Sequence, residues 1–127
     1  MSTLNLTLLT DLYELTMMQG YYESNSSETV IFDAFYRKNP CDNGYAISAG
    51  LDQVIDYINN LHFSEEDISY LASLGIFHEG FLDYLRNFHF EGDIWAIPEG
   101  SVVFPYEPLL KVIAPIMQAQ LVETAIL

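Results

Sequence analysis

The chain has 127 residues, the length of one domain, and half of them are apolar, so the sequence excludes a disordered or a multidomain chain. Four Lys and Arg residues stand against eighteen Asp and Glu residues, which gives a formal net charge of −14. Nucleic acids and anionic membrane surfaces are bound through several cationic side chains, so the charge argues against both as partners.

The sequence carries no sign of export or membrane insertion. The first ten residues contain no Lys or Arg, and no apolar stretch approaches the roughly 18 residues of a membrane-spanning helix. Cys41 is the single cysteine and cannot form an internal disulfide, which fits a reducing compartment. We therefore expect a cytoplasmic protein.

The N-terminal part is predicted to contain one helix followed by two strands. Asp11 and Glu14 have the spacing of a capping box, which predicts a helix over residues 11–22. Aromatic and apolar residues then alternate over residues 30–37, and a period of two is typical of a strand. A turn rich in Asp, Asn and Gly leads to a second, short strand at residues 45–48.

Three further helices are predicted in the middle of the chain. Residues 51–61 place apolar side chains at helical spacing. Ser64 and Asp67 repeat the capping-box pattern, and the acidic first turn behind Ser64 is explained by the helix dipole without a metal ion. The third helix is predicted around Phe81 and Leu85.

The pattern changes after Phe90. Short apolar runs broken by Gly and Pro predict a meander of about three strands that ends near Ile113. From Pro115 onward, apolar residues occupy nearly every azimuth of a predicted helix, which needs neighbours on all sides. A small domain has few to offer, so we expect an N-terminal part of a longer protein. The fold class is α/β, as an α+β domain with a small mixed or antiparallel sheet and flanking helices.

Short catalytic motifs are missing from the sequence. It has no P-loop, no dinucleotide-binding glycine motif and no pair of histidines at metal-ligand spacing. Its three histidines each adjoin a phenylalanine, and we interpret them as structural residues at the rim of a core. We therefore predict no catalytic residue and no metal ligand within this segment.

The first predicted helix has two non-polar faces. At about 100° per residue, one face carries Leu12, Leu15, Met18 and Tyr22, and the opposite face carries Tyr13, Met17 and Gly20. The first face should pack on the domain's own core. The second can contact a partner subunit or a flat ligand, and the pattern leaves both open.

Arg37 and Lys38 are the only adjacent pair of cationic residues. They follow the aromatic strand directly, where their side chains can extend beyond the edge of the sheet. This position fits an ordinary solvated strand end, and it also fits phosphate recognition, for which the guanidinium group is geometrically suited.

Six segments complete the pattern: residues 9–17 (LTDLYELTM), 35–40 (FYRKNP), 49–51 (AGL), 98–105 (PEGSVVFP), 107–110 (EPLL) and 120–124 (QLVET). In this order and spacing, the chain resembles the nicotinate phosphoribosyltransferase family from about residue 6 to residue 127. The resemblance implies that residues 1–113 form an N-terminal α/β domain. Residues 114–127 would form the first helix leading into an irregular α/β barrel that is missing here.

The resemblance also implies a reaction. The family forms nicotinate mononucleotide from nicotinate and phosphoribosyl pyrophosphate, with ATP hydrolysis through a phosphorylated histidine, at the entry to NAD salvage. That histidine and most phosphate ligands belong to the barrel, so this segment alone is expected to be inactive. Mg²⁺ and ATP are expected in the complete enzyme, which would be a homodimer with an active site shared across the interface.

Four residues acquire a role through the resemblance. Tyr13 matches the tyrosine that stacks on the pyridine ring, and Asp11 lies at the mouth of the same pocket. Arg37 matches an arginine that approaches phosphates from the neighbouring subunit, with Lys38 beside it. The alternatives are a nicotinamide- or quinolinate-type phosphoribosyltransferase, and a non-catalytic acidic module that binds other proteins.

Overall fold

A computed structural model of the chain describes residues 4–127 and shows helices packed on small antiparallel sheets. The elements are α1 (Leu12–Glu23), β1 (Thr29–Ala34), a 3-10 turn (Pro40–Asp42), β2 (Ala46–Ile47), α2 (Leu51–Asn59), α3 (Glu65–Ser73), α4 (Glu79–Arg86), β3 (Asp93–Ala96), β4 (Val102–Val103), β5 (Leu110–Pro115), α5 (Ile116–Leu121) and α6 (Glu123–Ile126). The predicted α/β class is confirmed.

The last strand, β5, is the centre of the main sheet. It pairs antiparallel with β1 on one side, where Thr29 faces Pro115, and with β3 on the other, where Asp93 faces Ile113. The three strands predicted after residue 90 are present, but the predicted meander is wrong: β4 leaves the sheet to pair with β2. Burial explains the order, because the inward side chains of β5 are all buried and suit a central strand.

The predicted strand at residues 30–37 ends three residues early, at Ala34. The nitrogen of Leu109 donates to the carbonyl oxygen of Ala34 at 2.8 Å. Pro108, the residue before Leu109, has no N–H to donate, so the regular ladder is interrupted here. One further backbone bond joins the two segments beyond this point, from the Tyr106 nitrogen to the Tyr36 carbonyl oxygen at 2.8 Å.

Both predicted capping boxes are confirmed. At α1, the Asp11 nitrogen donates to Glu14 Oε2 at 3.1 Å. At α3, the Asp67 nitrogen donates to Ser64 Oγ at 3.1 Å and the Ser64 nitrogen donates back to the Asp67 carboxylate at 2.8 Å. These helix starts form from contacts three residues apart, which explains why the sequence pattern finds them.

The C-terminal residues differ from the single, partly uncovered helix that the sequence predicts. β5 continues to Pro115, and two short helices follow that meet at Val122. Ala119, Leu121 and Val122 are buried, because α5 packs against α1 and against the inner face of the sheet. The expectation that a small domain cannot cover this segment is therefore wrong for its central residues. Ala114 and these three residues belong to the same buried cluster as Leu15 and Met18 of α1.

Tyr57 has a buried hydroxyl that finds no hydrogen-bond partner among the described residues. Since an unpaired buried hydroxyl carries an uncompensated desolvation cost, we expect Tyr57→Phe to raise the free energy of unfolding by about 1 kcal/mol. The matched control is Tyr36→Phe, because the Tyr36 hydroxyl lies 2.9 Å from both the Val103 carbonyl oxygen and Asn39 Oδ1. That variant should lose about 1 kcal/mol in urea unfolding. Equal losses in both variants would contradict the assignment.

Candidate functional site

The outer face of α1 is exposed, as its spacing predicts. Tyr13 is 48% exposed and Met17 41%, whereas Leu15 and Met18 on the opposite face are buried in the core. Leu12, which the pattern assigned to the inner stripe, is 52% exposed at the first position of the helix, so that assignment is wrong. The helix therefore presents an aromatic ring and a thioether to solvent from a well-anchored element.

Glu14, one residue beyond Tyr13, is completely buried. Its Oε2 accepts from the Asp11 nitrogen at 3.1 Å and from Thr10 Oγ1. Its Oε1 accepts from the Thr124 nitrogen at 3.1 Å and from Thr124 Oγ1 at 2.9 Å. Four neutral donors thus satisfy a buried carboxylate that has no cationic partner among residues 4–127. The sequence indicates the cap but gives no signal for Thr124, which lies 110 residues away.

The Tyr13 ring lies in a strongly acidic neighbourhood. Partial burial raises the pKa of its hydroxyl, and the carboxylates of Glu123, Glu14 and Asp11 raise it further. Asp11 caps the helix, and one of its carboxylate oxygens lies 3.4 Å from Thr124 Oγ1. The phenol therefore stays protonated near neutral pH, and a neutral aromatic face is available beside Asp11.

Arg37 and Lys38 are exposed beyond the end of β1. Lys38 Nζ lies 3.3 Å from Asp42 Oδ1, in a fully solvated pair of the kind that contributes little stability. Within the part of the chain that the structure describes, Arg37 makes no ion pair, whereas Arg86 and Lys111 both contact carboxylates. Arg37 is thus the cation left available for an external anion.

The structure does not bring the two predicted pairs into contact. No hydrogen bond or ion pair between residues 4 and 127 joins Tyr13 or Asp11 to Arg37 or Lys38. An open cavity of about 720 Å³ lies between α2 and the ends of the sheets, but none of these four side chains lines it. The candidate site is therefore a pair of surface elements on this chain and is not a closed pocket.

The segments that carry the resemblance contact one another in the fold. Glu14 and Thr124 join the first segment to the last. Glu99 Oε1 accepts from the Gly50 nitrogen at 2.7 Å, which supplies a carboxylate to the start of α2, where Gly50 has no side chain and a φ of 107°. The Tyr36 hydroxyl reaches the Val103 carbonyl oxygen at 2.9 Å. These distant segments therefore stabilise each other's backbone.

Residues 4–127 contain neither a cluster of metal-ligating side chains nor a membrane-spanning helix. No group of three His, Cys, Asp or Glu side chains in this range could hold a metal ion. In the same range, none of the helices has both the length and the hydropathy needed to cross a membrane.

Comparison with known proteins gives a consistent result. The sequence model of the nicotinate phosphoribosyltransferase N-terminal domain matches residues 8–127. A nicotinate phosphoribosyltransferase of Mycobacterium tuberculosis, pncB2, is 48% identical over 120 residues, which is 94% of this chain and 26% of that protein. The nicotinate phosphoribosyltransferase of Bacillus subtilis is 43% identical over 124 residues, 97% of this chain and 25% of that protein.

Solved structures agree with the sequence matches. The crystal structure of human nicotinic acid phosphoribosyltransferase superposes with a TM-score of 0.83 at 33% identity, covering 92% of this chain and 24% of that one. Nicotinate-nucleotide pyrophosphorylase from Pyrococcus furiosus gives a TM-score of 0.63 at 17% identity, which shows a shared fold alone. The chain spans about a quarter of the length of the curated relatives it matches.

Proposed function

Because this chain belongs to the nicotinate phosphoribosyltransferase family, we propose that it is the N-terminal part of an enzyme that joins nicotinate to phosphoribosyl pyrophosphate. The product would be nicotinate mononucleotide, an NAD precursor, and ATP hydrolysis would drive the reaction. The observation that carries the proposal is the exposed Tyr13 ring on a rigid helix, within a segment that matches the family along 94% of the chain.

Tyr13 would bind the pyridine ring of nicotinate by stacking. Its half-exposed face offers the area, and its raised pKa keeps the ring neutral. The carboxylates of Glu123, Glu14 and Asp11 lie near enough to the hydroxyl of this ring to raise its pKa. A nicotinate stacked here would therefore point its own carboxylate away from that end, toward cationic groups supplied from elsewhere.

Arg37 would approach a phosphate group of the second substrate. Its guanidinium group has no internal partner among the described residues and can make a bidentate, charge-assisted contact. Lys38 would assist as a second positive charge, in competition with Asp42 at 3.3 Å. Attack at carbon 1 of the ribose passes through a cationic sugar, so a positioned ring and a neutralised leaving pyrophosphate are the main needs.

Residues 4–127 contain no cluster of three side chains that could hold a metal ion. Mg²⁺ would accompany the phosphates of the substrates and be held by them and by the barrel.

A homodimer accounts for the exposed face of α1. Tyr13 and Met17 present apolar surface from a helix whose other face is already buried, and Gly20 allows close approach of another backbone. In the proposed dimer this face would lie against the active site of the partner subunit. A cytoplasmic location remains the expectation.

Substrate choice separates the alternatives. The complete enzyme should use nicotinate and should use nicotinamide or quinolinate far less well, in steady-state assays with each of the three compounds at equal concentration. Preference for either of the other two would assign the chain to that neighbouring activity. The acidic interaction module is disfavoured by the match to enzymes over 94% of the chain.

Tyr13→Ala in the complete enzyme is expected to weaken nicotinate binding a few-fold to about tenfold, because an aromatic pair contributes about 0.5–1.5 kcal/mol beyond buried area. Tyr13→Phe keeps the ring and should change binding little. Calorimetric titration with nicotinate measures both. Equal losses of nicotinate affinity in the two variants would indicate that the hydroxyl contacts nicotinate. Unchanged affinity in both variants would indicate that Tyr13 has only a packing role.

Arg37→Ala is expected to weaken the binding of phosphoribosyl pyrophosphate or ATP, since a charge-assisted hydrogen bond contributes about 1.5–3 kcal/mol. Nicotinate affinity should stay close to that of the wild type. Arg86→Ala is the matched control, because Arg86 is engaged with Glu79 and Asp83 and is not proposed to contact substrate. Wild-type affinities for both phosphoribosyl pyrophosphate and ATP would indicate that Arg37 is an ordinary solvated residue at the end of a strand.

A further inference from the structure

The carboxylate of Glu14 does more than cap a helix. It is completely buried, although a capping residue at a helix start can satisfy the backbone while remaining exposed. Each of its oxygens accepts two hydrogen bonds, one pair from Thr10 and Asp11 and the other from Thr124. The side chain therefore joins the first turn of α1 to the first turn of α6.

The donors that surround Glu14 require a carboxylate. Both oxygens face a backbone N–H, from Asp11 on one side and from Thr124 on the other, and a backbone N–H cannot reverse its direction. An amide in this place would turn its NH₂ group toward one of these N–H donors, whichever way it is flipped. Glutamine is thus nearly equal in shape but cannot satisfy the site.

The joined turns carry the residues proposed to contact nicotinate. Tyr13 and Asp11 flank Glu14 on α1, and the Thr124 hydroxyl that donates to Glu14 also lies 3.4 Å from Asp11 Oδ2. On the α6 side, Glu123 precedes Thr124, and its carboxylate raises the pKa of Tyr13. Movement of α6 relative to α1 would consequently alter the surroundings of the Tyr13 ring.

We propose that Glu14 is a positioning residue for nicotinate binding, which acts through Thr124 to fix α6 against the start of α1 and thereby places Tyr13 and Asp11. This inference rests on the proposed role of Tyr13 as the residue that stacks on nicotinate. Thr124 belongs to the same unit, because its backbone nitrogen and its hydroxyl supply both donors to Oε1.

The test uses the complete enzyme and compares the KM for nicotinate with the KM for phosphoribosyl pyrophosphate. Glu14→Gln is expected to raise the KM for nicotinate about tenfold, because small displacements of a positioning group cost binding, while the KM for phosphoribosyl pyrophosphate changes less than about twofold. Thr124→Val removes the hydroxyl and should raise the nicotinate KM a few-fold. Thr124→Ser keeps the hydroxyl and should have the wild-type KM for nicotinate. If the effect of Thr124→Val came from a packing defect, Thr124→Ser would raise this KM as well.

Asp67→Asn is the matched control. Asp67 is also the carboxylate of a capping box, at α3, and accepts from Ser64 and from Asn5 at 2.8–2.9 Å. Among residues 4–127, it makes no hydrogen bond or ion pair to α6 or to the start of α1. This variant should lower the midpoint of thermal unfolding as Glu14→Gln does, yet leave the nicotinate KM at its wild-type value.

The double variant with Tyr13→Ala decides the outcome. If Glu14 acts through Tyr13, Glu14→Gln adds little to the KM of the Tyr13→Ala enzyme. Independent, multiplying effects would overturn the positioning role, and so would a normal nicotinate KM in both Glu14→Gln and Thr124→Val. A Tyr13→Ala enzyme with unchanged nicotinate binding would instead overturn the proposed stacking role of Tyr13, on which this inference rests. Should Glu14→Gln fail to fold, the Thr124→Val and Thr124→Ser pair gives the same decision.

Discussion

The purified 127-residue chain is expected to form no nicotinate mononucleotide from nicotinate, phosphoribosyl pyrophosphate and ATP. Two anionic phosphate substrates need several cations, and the sequence has four Lys and Arg residues against eighteen acidic ones. Lys38, Arg86 and Lys111 each lie within 4.0 Å of a carboxylate, so Arg37 is the cation left available in the described part. A chromatographic assay for the product, with a detection limit set by a mock purification, measures this.

The complete enzyme provides the positive control for that assay. Adding the chain to the Tyr13→Ala enzyme tests the shared active site further, because a supplied N-terminal domain can restore nicotinate binding only if it exchanges into the dimer. Turnover by the isolated chain above the mock preparation would contradict the assignment of the phosphate ligands and the phosphorylated histidine to the barrel.

Gly92→Ala is expected to destabilise the domain by about 3 kcal/mol, because no side chain fits at this position without strain. A Cβ atom on Gly92 would lie 2.4 Å from the Cβ of Ala114 and 2.7 Å from the carbonyl oxygen of Ile113. Both neighbours belong to the central strand β5, whose backbone is held by hydrogen bonds to β1 and β3. The steric overlap could be relieved only by displacing the central strand of the sheet. Urea unfolding of the purified chain measures the resulting decrease in the free energy of unfolding.

Gly44→Ala is the control for that substitution. A Cβ atom there meets nothing within 4 Å, and the residue is exposed. Its stability should stay within about 0.5 kcal/mol of the wild type, as is usual for surface substitutions. A Gly92→Ala domain as stable as Gly44→Ala would mean that β3 can shift away from β5 at little cost.

Local patterns in the sequence determined most of the helices. Asp11 with Glu14 and Ser64 with Asp67 predicted where α1 and α3 begin, because a cap is completed within three residues of the same segment. Spacing also predicted that Tyr13 faces outward while Met18 is buried, since an α-helix repeats every 3.6 residues. The family, likewise, could be recognised from short segments whose order is a property of the sequence.

Contacts between distant segments were decided only by the tertiary structure. β5 lies between β1 and β3 because its inward side chains can be buried. An alternating sequence pattern predicts a strand, but it does not say which other strand pairs with it. The capping of α2 by Glu99 and the bond from Thr124 to Glu14 join residues 49 and 110 positions apart. No local spacing carries such information.

The candidate site divides in the same way. The sequence by itself determined which residues offer an aromatic ring, a carboxylate and two cations, namely Tyr13, Asp11, Arg37 and Lys38, because the residue type fixes the chemistry of the side chain. The tertiary structure decided that Arg37 has no ion pair in the described part, and that the buried carboxylate of Glu14 behind Tyr13 accepts hydrogen bonds from Thr124. Whether a charge is satisfied depends on which distant donors surround it, and folding alone sets that arrangement.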